Sequence, residues 1–165
     1  MGRSPYPGRR GVNDSRNHVE AAVRQASSNR PYPPLMTEHV LPYELGVEWE
    51  PNAPEASFTV TDRGAARLSL NVHPDDDDPS LVVLAWSGVQ ATRFGPYNDE
   101  GLRHHKLYDA GLSGLLWSGE VEDSLWLAEV SNAVAVPAAH HFVVVTKEAL
   151  VEVLADRMTA ERRRQ

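Results

Sequence analysis

The chain has 165 residues, 41% hydrophobic and 24% charged, a length and balance that suit one globular domain able to bury a core without covalent staples. It has no cysteine, which excludes disulfides, thiolate zinc sites and a thiol nucleophile. The net charge of −7 is unevenly placed: residues 1–30 carry +4, residues 31–156 carry −14 and residues 157–165 carry +3.

A phosphate backbone needs concentrated positive charge, so the acidic middle argues against nucleic-acid binding. The basic ends read as solvated segments, or as segments that dock on the chain's own acidic surface. No apolar run approaches the ~20 residues that a membrane helix needs. The arginines near the N-terminus precede no apolar segment, so no secretory signal is read there. A cytoplasmic protein, with no membrane and no nucleic acid as partner, is expected.

Residues 1–30 are rich in Gly, Pro, Ser, Asn and Arg, and Val12, Val19 and Val23 are their only bulky aliphatics. Such a segment cannot offset its own ordering entropy and is expected to be a basic, loosely attached tail. A short helix over His18–Ala26, capped by Asn17, would place Val19 and Val23 on one face. Residues 31–56 hold six prolines, which remove donors and fix φ. Apolar residues from Leu35 to Trp49 are interspersed among them, so this stretch is expected to be an ordered arm laid across the core.

The core is expected over residues 57–156. Phe58 and Val60 alternate with polar neighbours, as do Leu68, Leu70 and Val72, and Asp62-Arg63-Gly64 between them makes a hairpin turn. After the acidic break at His73–Pro79, Leu81–Trp86 and Val89–Phe94 read as strands. Between them, Ser87-Gly88 is either a tight turn that makes a second hairpin or a bulge that bends one long strand. Residues 99–116 read as a long loop with one helical turn, and Trp117–Val121 as a strand. Asp123 reads as the cap of a short helix with Trp126 and Val130 on one face, and residues 131–139 as irregular.

His141–Thr146 is the clearest buried strand. After it, Leu150, Val151, Leu154, Ala155 and Met158 fit a helix stripe, while Val151, Val153 and Ala155 equally fit a strand. The strand through about Leu154, paired back on Phe142–Val145, is favoured, followed by a short polar helix or a basic tail over 157–165. These elements predict an α+β or mainly β protein: an antiparallel sheet of hairpins, one or two short helices and a long irregular N-terminal arm.

Polar chemistry concentrates in residues 98–109, which hold acids, bases and two imidazoles. His105 with Asp99 or Glu100 forms the candidate acid–base group, because an imidazole oriented by a carboxylate can move a proton near neutral pH. His104 or His105 with Asp99 or Asp109 could also touch a metal, but the spacing matches no closed ligand pattern and no metal or cofactor is expected. The plainer reading is a turn in which Asn98 and Asp99 bond local backbone. Asn98, Tyr97, Trp86 and Trp117 are the candidate binding residues, since aromatic side chains can line a pocket.

His140-His141 opens a strand, so one ring faces inward, where it could meet His104 or His105. Asp75–Asp78 lacks the alternating ligands and the glycine of a calcium loop. No phosphate loop, nucleophile elbow or dinucleotide fingerprint is present.

The stretch Arg93-Phe94-Gly95-Pro96-Tyr97-Asn98-Asp99-Glu100, then His105-Lys106-Leu107-Tyr108, then Glu120-Val121-Glu122-Asp123-Ser124-Leu125-Trp126, resembles a family of uncharacterised small bacterial proteins with an R-F-G-x-x-N-D-E, H-x-L-Y and E-V-x-x-S-x-W pattern. The resemblance covers roughly residues 81–154. It implies no substrate, but it favours His105 over His104, which stands where a glycine is usual.

The function expected from these features is a non-catalytic binding or accessory protein that engages a protein partner or a small molecule, with homo-oligomers left open. The alternative is a small metabolite-processing enzyme that uses the His/carboxylate cluster of the 98–109 loop. A third class is an acidic mimic or inhibitor that engages the nucleic-acid-binding surface of a basic partner.

Overall fold

Nine strands, all paired antiparallel, make two sheets in the computed structural model, which describes residues 37–50, 56–71, 80–133 and 139–164. These residues fall within one compact unit, residues 36–165. The strands are β1 (His39–Pro42), β2 (Ala56–Thr61), β3 (Ala65–Asn71), β4 (Ser80–Ser87), β5 (Ala91–Gly95), β6 (Ser118–Glu122), β7 (His140–Val145), β8 (Leu150–Ala155) and β9 (Arg157–Arg164). The five-stranded sheet has the order β1-β6-β7-β8-β5, and the four-stranded sheet has the order β2-β3-β4-β9. Two helices, α1 (Asp99–Leu102) and α2 (Leu125–Ala133), and a 3-10 turn at Leu112–Gly114 complete the described elements. The mainly antiparallel β architecture with short helices is the one the sequence pattern implies. The expected tail over 1–30, its helix at His18–Ala26 and the acidic run at Asp75–Asp78 lie outside the described residues.

The β2–β3 hairpin forms as its alternation dictates, with Phe58 opposite Leu68 and Val60 opposite Ala66. Val60 is 48% exposed, because β2 is the outer strand of its sheet and only Phe58 reaches the core. At Ser87-Gly88 no second hairpin forms. The chain bends out of β4 in one sheet and continues as β5 in the other, and β8 likewise continues through Asp156 into β9. The two bends lie side by side, since the Asp156 N–H donates to Ser87 O at 3.0 Å and the Gln90 N–H to Leu154 O at 2.8 Å. Gly88 has φ +64, and the Asp156 carboxylate occupies the space that a Cβ would need. Only glycine satisfies both conditions, so this residue makes the corner at which strands change sheet.

Residues 157–164 are not a tail or helix. They are β9, paired along its whole length with β4, with Met158 buried opposite Trp86. Met158 and Ala160 face the core and alternate with Arg157, Thr159 and Glu161, ahead of the three consecutive arginines that suggest a tail. The described part of the arm, residues 37–50, begins as β1 and then runs with Tyr43, Leu45 and Val47 packed on the core and Trp49 buried.

The main core lies between the sheets. Leu68, Leu70, Val82, Leu84 and Trp86 come from one sheet, and Phe142, Val144, Val151, Val153 and Ala155 from the other. Each large side chain so buried contributes about 1.5–3 kcal/mol. A second core covers the opposite face of the five-stranded sheet, where Val143 and Leu150 meet Leu107, Leu112 and Leu115 of the 99–115 segment. Gly111, at φ +117, lets that segment come against β1, where a Cβ would stand 2.6 Å from Val40 O. This outer layer is what frames the polar site. Among the described residues no helix is long and apolar enough to cross a membrane.

Candidate functional site

Every residue of β8 is buried, and the strand alternates between the two cores. Val151, Val153 and Ala155 face the inter-sheet core, while Leu150 faces the outer layer. By the same alternation Glu152 points outward into that layer, 3% exposed, with Arg93 directly opposite on β5 and Val143 opposite on β7. A buried carboxylate in mid-sheet requires partners. Glu152 Oε2 lies 3.2 Å from His141 Nε2, and Oε1 lies 3.7 Å from His105 Nε2 and 3.8 Å from Arg93 Nη1. His141 is wholly buried and the His105 side chain is only 7% exposed, whereas the Arg93 side chain is 43% exposed.

The hydrogen bonds set the ring tautomers. A carboxylate only accepts, so His141 Nε2–H donates to Glu152, and the neutral ring's Nδ1 accepts from the Ser124 hydroxyl at 2.8 Å. Ser124 Oγ in turn accepts the Leu127 N–H at 3.1 Å. His105 Nδ1 accepts the Leu107 N–H at 3.3 Å, which leaves Nε2–H facing Glu152. Burial alone pushes the Glu152 carboxyl up, but His105 and His141 together outweigh it and hold the group well below the usual carboxylate range. Trp126 closes the cluster, with the Arg93 guanidinium 3.9 Å over its ring and His141 edge-on to it at 5.1 Å. Tyr97 meets His105 edge-on at 5.1 Å.

Local sequence explains these placements. Asn98 caps α1 by accepting the Gly101 N–H at 2.9 Å, which starts the turn that brings His105 back over the sheet. For α2 the side-chain cap is Ser124 rather than Asp123. Asp123 instead sits at φ +53 in the tight turn out of β6. Glu38 ties these parts together. Its Oε1 accepts the Leu125 N–H at 3.0 Å, and its carboxylate pairs with Lys106 at 3.4 Å.

Of the residues singled out from sequence, His105 and Tyr97 enter this cluster and Asn98 supports it as a cap. His104 is exposed, Glu100 is exposed on α1, and Asp99 opens α1. Among the described side chains, the carboxylate beside His105 is Glu152 and not Glu100. His140 is exposed and bonds Glu120 at 2.6 Å, while His141 is the inward ring and shares Glu152 with His105. Trp86 is 2% exposed in the inter-sheet core, where it packs edge-on against Phe58. Glu152, Arg93 and Ser124 are the residues sequence reasoning missed. A lone acid within the apolar run Leu150–Ala155 is the signal that could have found Glu152. Among the described residues no group of three or more His, Asp or Glu is placed to hold a metal ion.

Trp117 marks a different feature. Its indole N–H donates to Trp49 O at 2.9 Å, and it lines a groove of about 740 Å³ formed by residues 42–48 and 114–118 at the end of the β1–β6 ladder. Tyr43, Leu45, Val47 and Leu115 form the apolar lining with Trp117, and the exposed Glu44, Glu48 and Arg162 stand at the mouth. A Cβ on Gly46 or Gly114 would meet nothing within 4 Å, so the space beside them is open. A second hollow of about 490 Å³ lies against Ser124 and His141.

No protein-family model matches this chain, and no curated protein or solved structure matches it.

Proposed function

We propose that the protein is a cytoplasmic binding protein whose ligand is a small amphipathic molecule, with an apolar body and a positively charged end, held in the groove between residues 42–48 and 114–118. The observation that carries this reading is the groove itself. Its volume of about 740 Å³ falls in the range of roughly 300–1,000 Å³ typical of small-ligand sites, and its lining is apolar and aromatic with a few charged groups at the edge. Two of the three charged groups at the mouth are carboxylates, and the charge of −14 over residues 31–156 attracts cations at longer range. The Glu152 cluster has weaker claims as an acid–base centre for a substrate that must reach His105 from outside, since His105, His141 and Glu152 are all buried.

A titration followed by tryptophan fluorescence tests the reading, because Trp117 lines the groove. Octylamine is expected to change the emission saturably, and octanoate to do so at least tenfold more weakly. Gly114→Phe, which places a ring in the open space, should abolish the response without lowering the melting temperature. Equal responses to both probes, or an unchanged response in the Gly114→Phe protein, would remove the support for this groove.

A further inference from the structure

We propose that Ser124, His141 and Glu152 form a hydroxyl–imidazole–carboxylate relay that cleaves small carboxylic esters with a neutral or cationic alcohol part, in the hollow beside α2 and independently of the groove. Three separate observations converge on it. The first is the linear order of the groups: Ser124 Oγ to His141 Nδ1 is 2.8 Å, and His141 Nε2 to Glu152 Oε2 is 3.2 Å. A relay of this kind is recognised by its geometry and roles, and here the ring is reversed relative to the serine-protease arrangement, with Nδ1 facing the hydroxyl and Nε2 held by the carboxylate. The second is the setting of the serine. It follows a strand and a residue at φ +53, and it begins the nine-residue helix α2, so its oxygen lies at the positive end of a helix and accepts the Leu127 N–H. The third is a hollow of about 490 Å³ whose lining includes Ser124, 5% exposed, and the wholly buried His141, with Leu127, Ala128 and Ala139 as apolar wall, so that the serine hydroxyl rather than the ring is the group nearest to solvent. Its remaining lining includes Glu120, Glu122 and Asp123, which disfavours anionic esters and gives the substrate class stated above.

The chemistry balances within these groups and water. Ser124 Oγ adds to the ester carbonyl carbon as its proton passes to His141 Nδ1. The bond from that carbon to the alcohol oxygen breaks, and His141 returns the proton to the departing alkoxide. Water then loses a proton to the same nitrogen and attacks the acyl-serine. The acid leaves and the Ser124 hydroxyl is restored, so ester and water become acid and alcohol. Glu152 touches no reacting atom. It is a positioning residue that fixes the ring tautomer and stabilises the imidazolium formed in each half.

The test is reaction of the full chain with p-nitrophenyl acetate and with a fluorophosphonate probe. The chain carries seven histidines, and imidazoles hydrolyse nitrophenyl esters unaided, so the rate counts only where it depends on Ser124. Ser124→Asn keeps a capping oxygen for α2 and should stay folded. The expected result is a fluorophosphonate adduct on the peptide containing Ser124. It should be accompanied by ester hydrolysis that falls by about 10²-fold or more in Ser124→Asn and in His141→Gln. Glu152→Gln should lower the rate and move the rising limb of the pH–rate profile to lower pH, because the ring loses the carboxylate that stabilises its charged form. A loss of folded fraction alone would scale the rate without moving the limb. Absence of the adduct on folded protein, an adduct at another residue, or an unchanged rate in Ser124→Asn would each overturn the proposal.

Discussion

A carboxylate only 3% exposed keeps its charge because each oxygen faces a cation or a donor, and Glu152 meets that condition through three different segments of chain. Glu152→Ala would leave the buried His141 Nε2–H without its carboxylate acceptor. A buried donor so orphaned costs about 1–3 kcal/mol, so urea denaturation should show a loss of that size, with Glu152→Gln losing less because it keeps an acceptor oxygen. The pH dependence follows with a definite sign. The folded carboxyl is depressed below its ordinary value of 4.5, so its stabilisation is complete above that value and is lost as the pH falls below it. The urea midpoint should therefore fall between pH 5 and pH 3, and fall less steeply in Glu152→Gln. His105→Ala should destabilise by removing a buried ring between Tyr97 and Glu152. His104→Ala should change stability by no more than about 0.5 kcal/mol, because that side chain lies in solvent. A thermal shift comparing the two variants checks the distinction.

At the scale of elements, periodicity in the sequence revealed those segments in which one face is buried. Strands β2 and β3 and helix α2 were legible because apolar residues recur at two or three to four positions along them, β7 was legible as an unbroken apolar run, and at β8 the pattern fitted strand and helix alike. β9 was not. As an outer strand it buries Met158 and partly Ala160 only, and four arginines conceal that alternation. The meeting of His105 with Glu152 was equally hidden, since it joins residues 47 apart through the return of the 99–115 segment over the sheet, and sequence spacing carries no record of that return. The change of sheet at Gly88 was half legible, as a bend without a destination. Gly88→Ala should cost about 1–2 kcal/mol for the left-handed backbone, plus the clash with Asp156. In an Asp156→Ala background the clash disappears and only the backbone part should remain, so a double-mutant cycle in urea separates the two.

For the molecule as a whole, removing residues 157–165 should abolish the cooperative thermal transition rather than trim a loose end. That deletion strips the outer strand from β4, uncovers Val82, Leu84 and Trp86, and removes Met158 from the core. A circular-dichroism melt that remained sharp in the shortened chain would show that β9 contributes little. The corner at Gly88 and Asp156 has a wider consequence. Two stretches of chain, β4 into β5 and β8 into β9, each run from one sheet into the other and are hydrogen-bonded side by side at the bend, so the sheets cannot part like the halves of a shell. Native-state hydrogen exchange should then find the central amides of β4, β7 and β8 released by a single opening event, with one common free energy and one common dependence on denaturant. The outer strands β1 and β2 should exchange earlier, by fraying of their own.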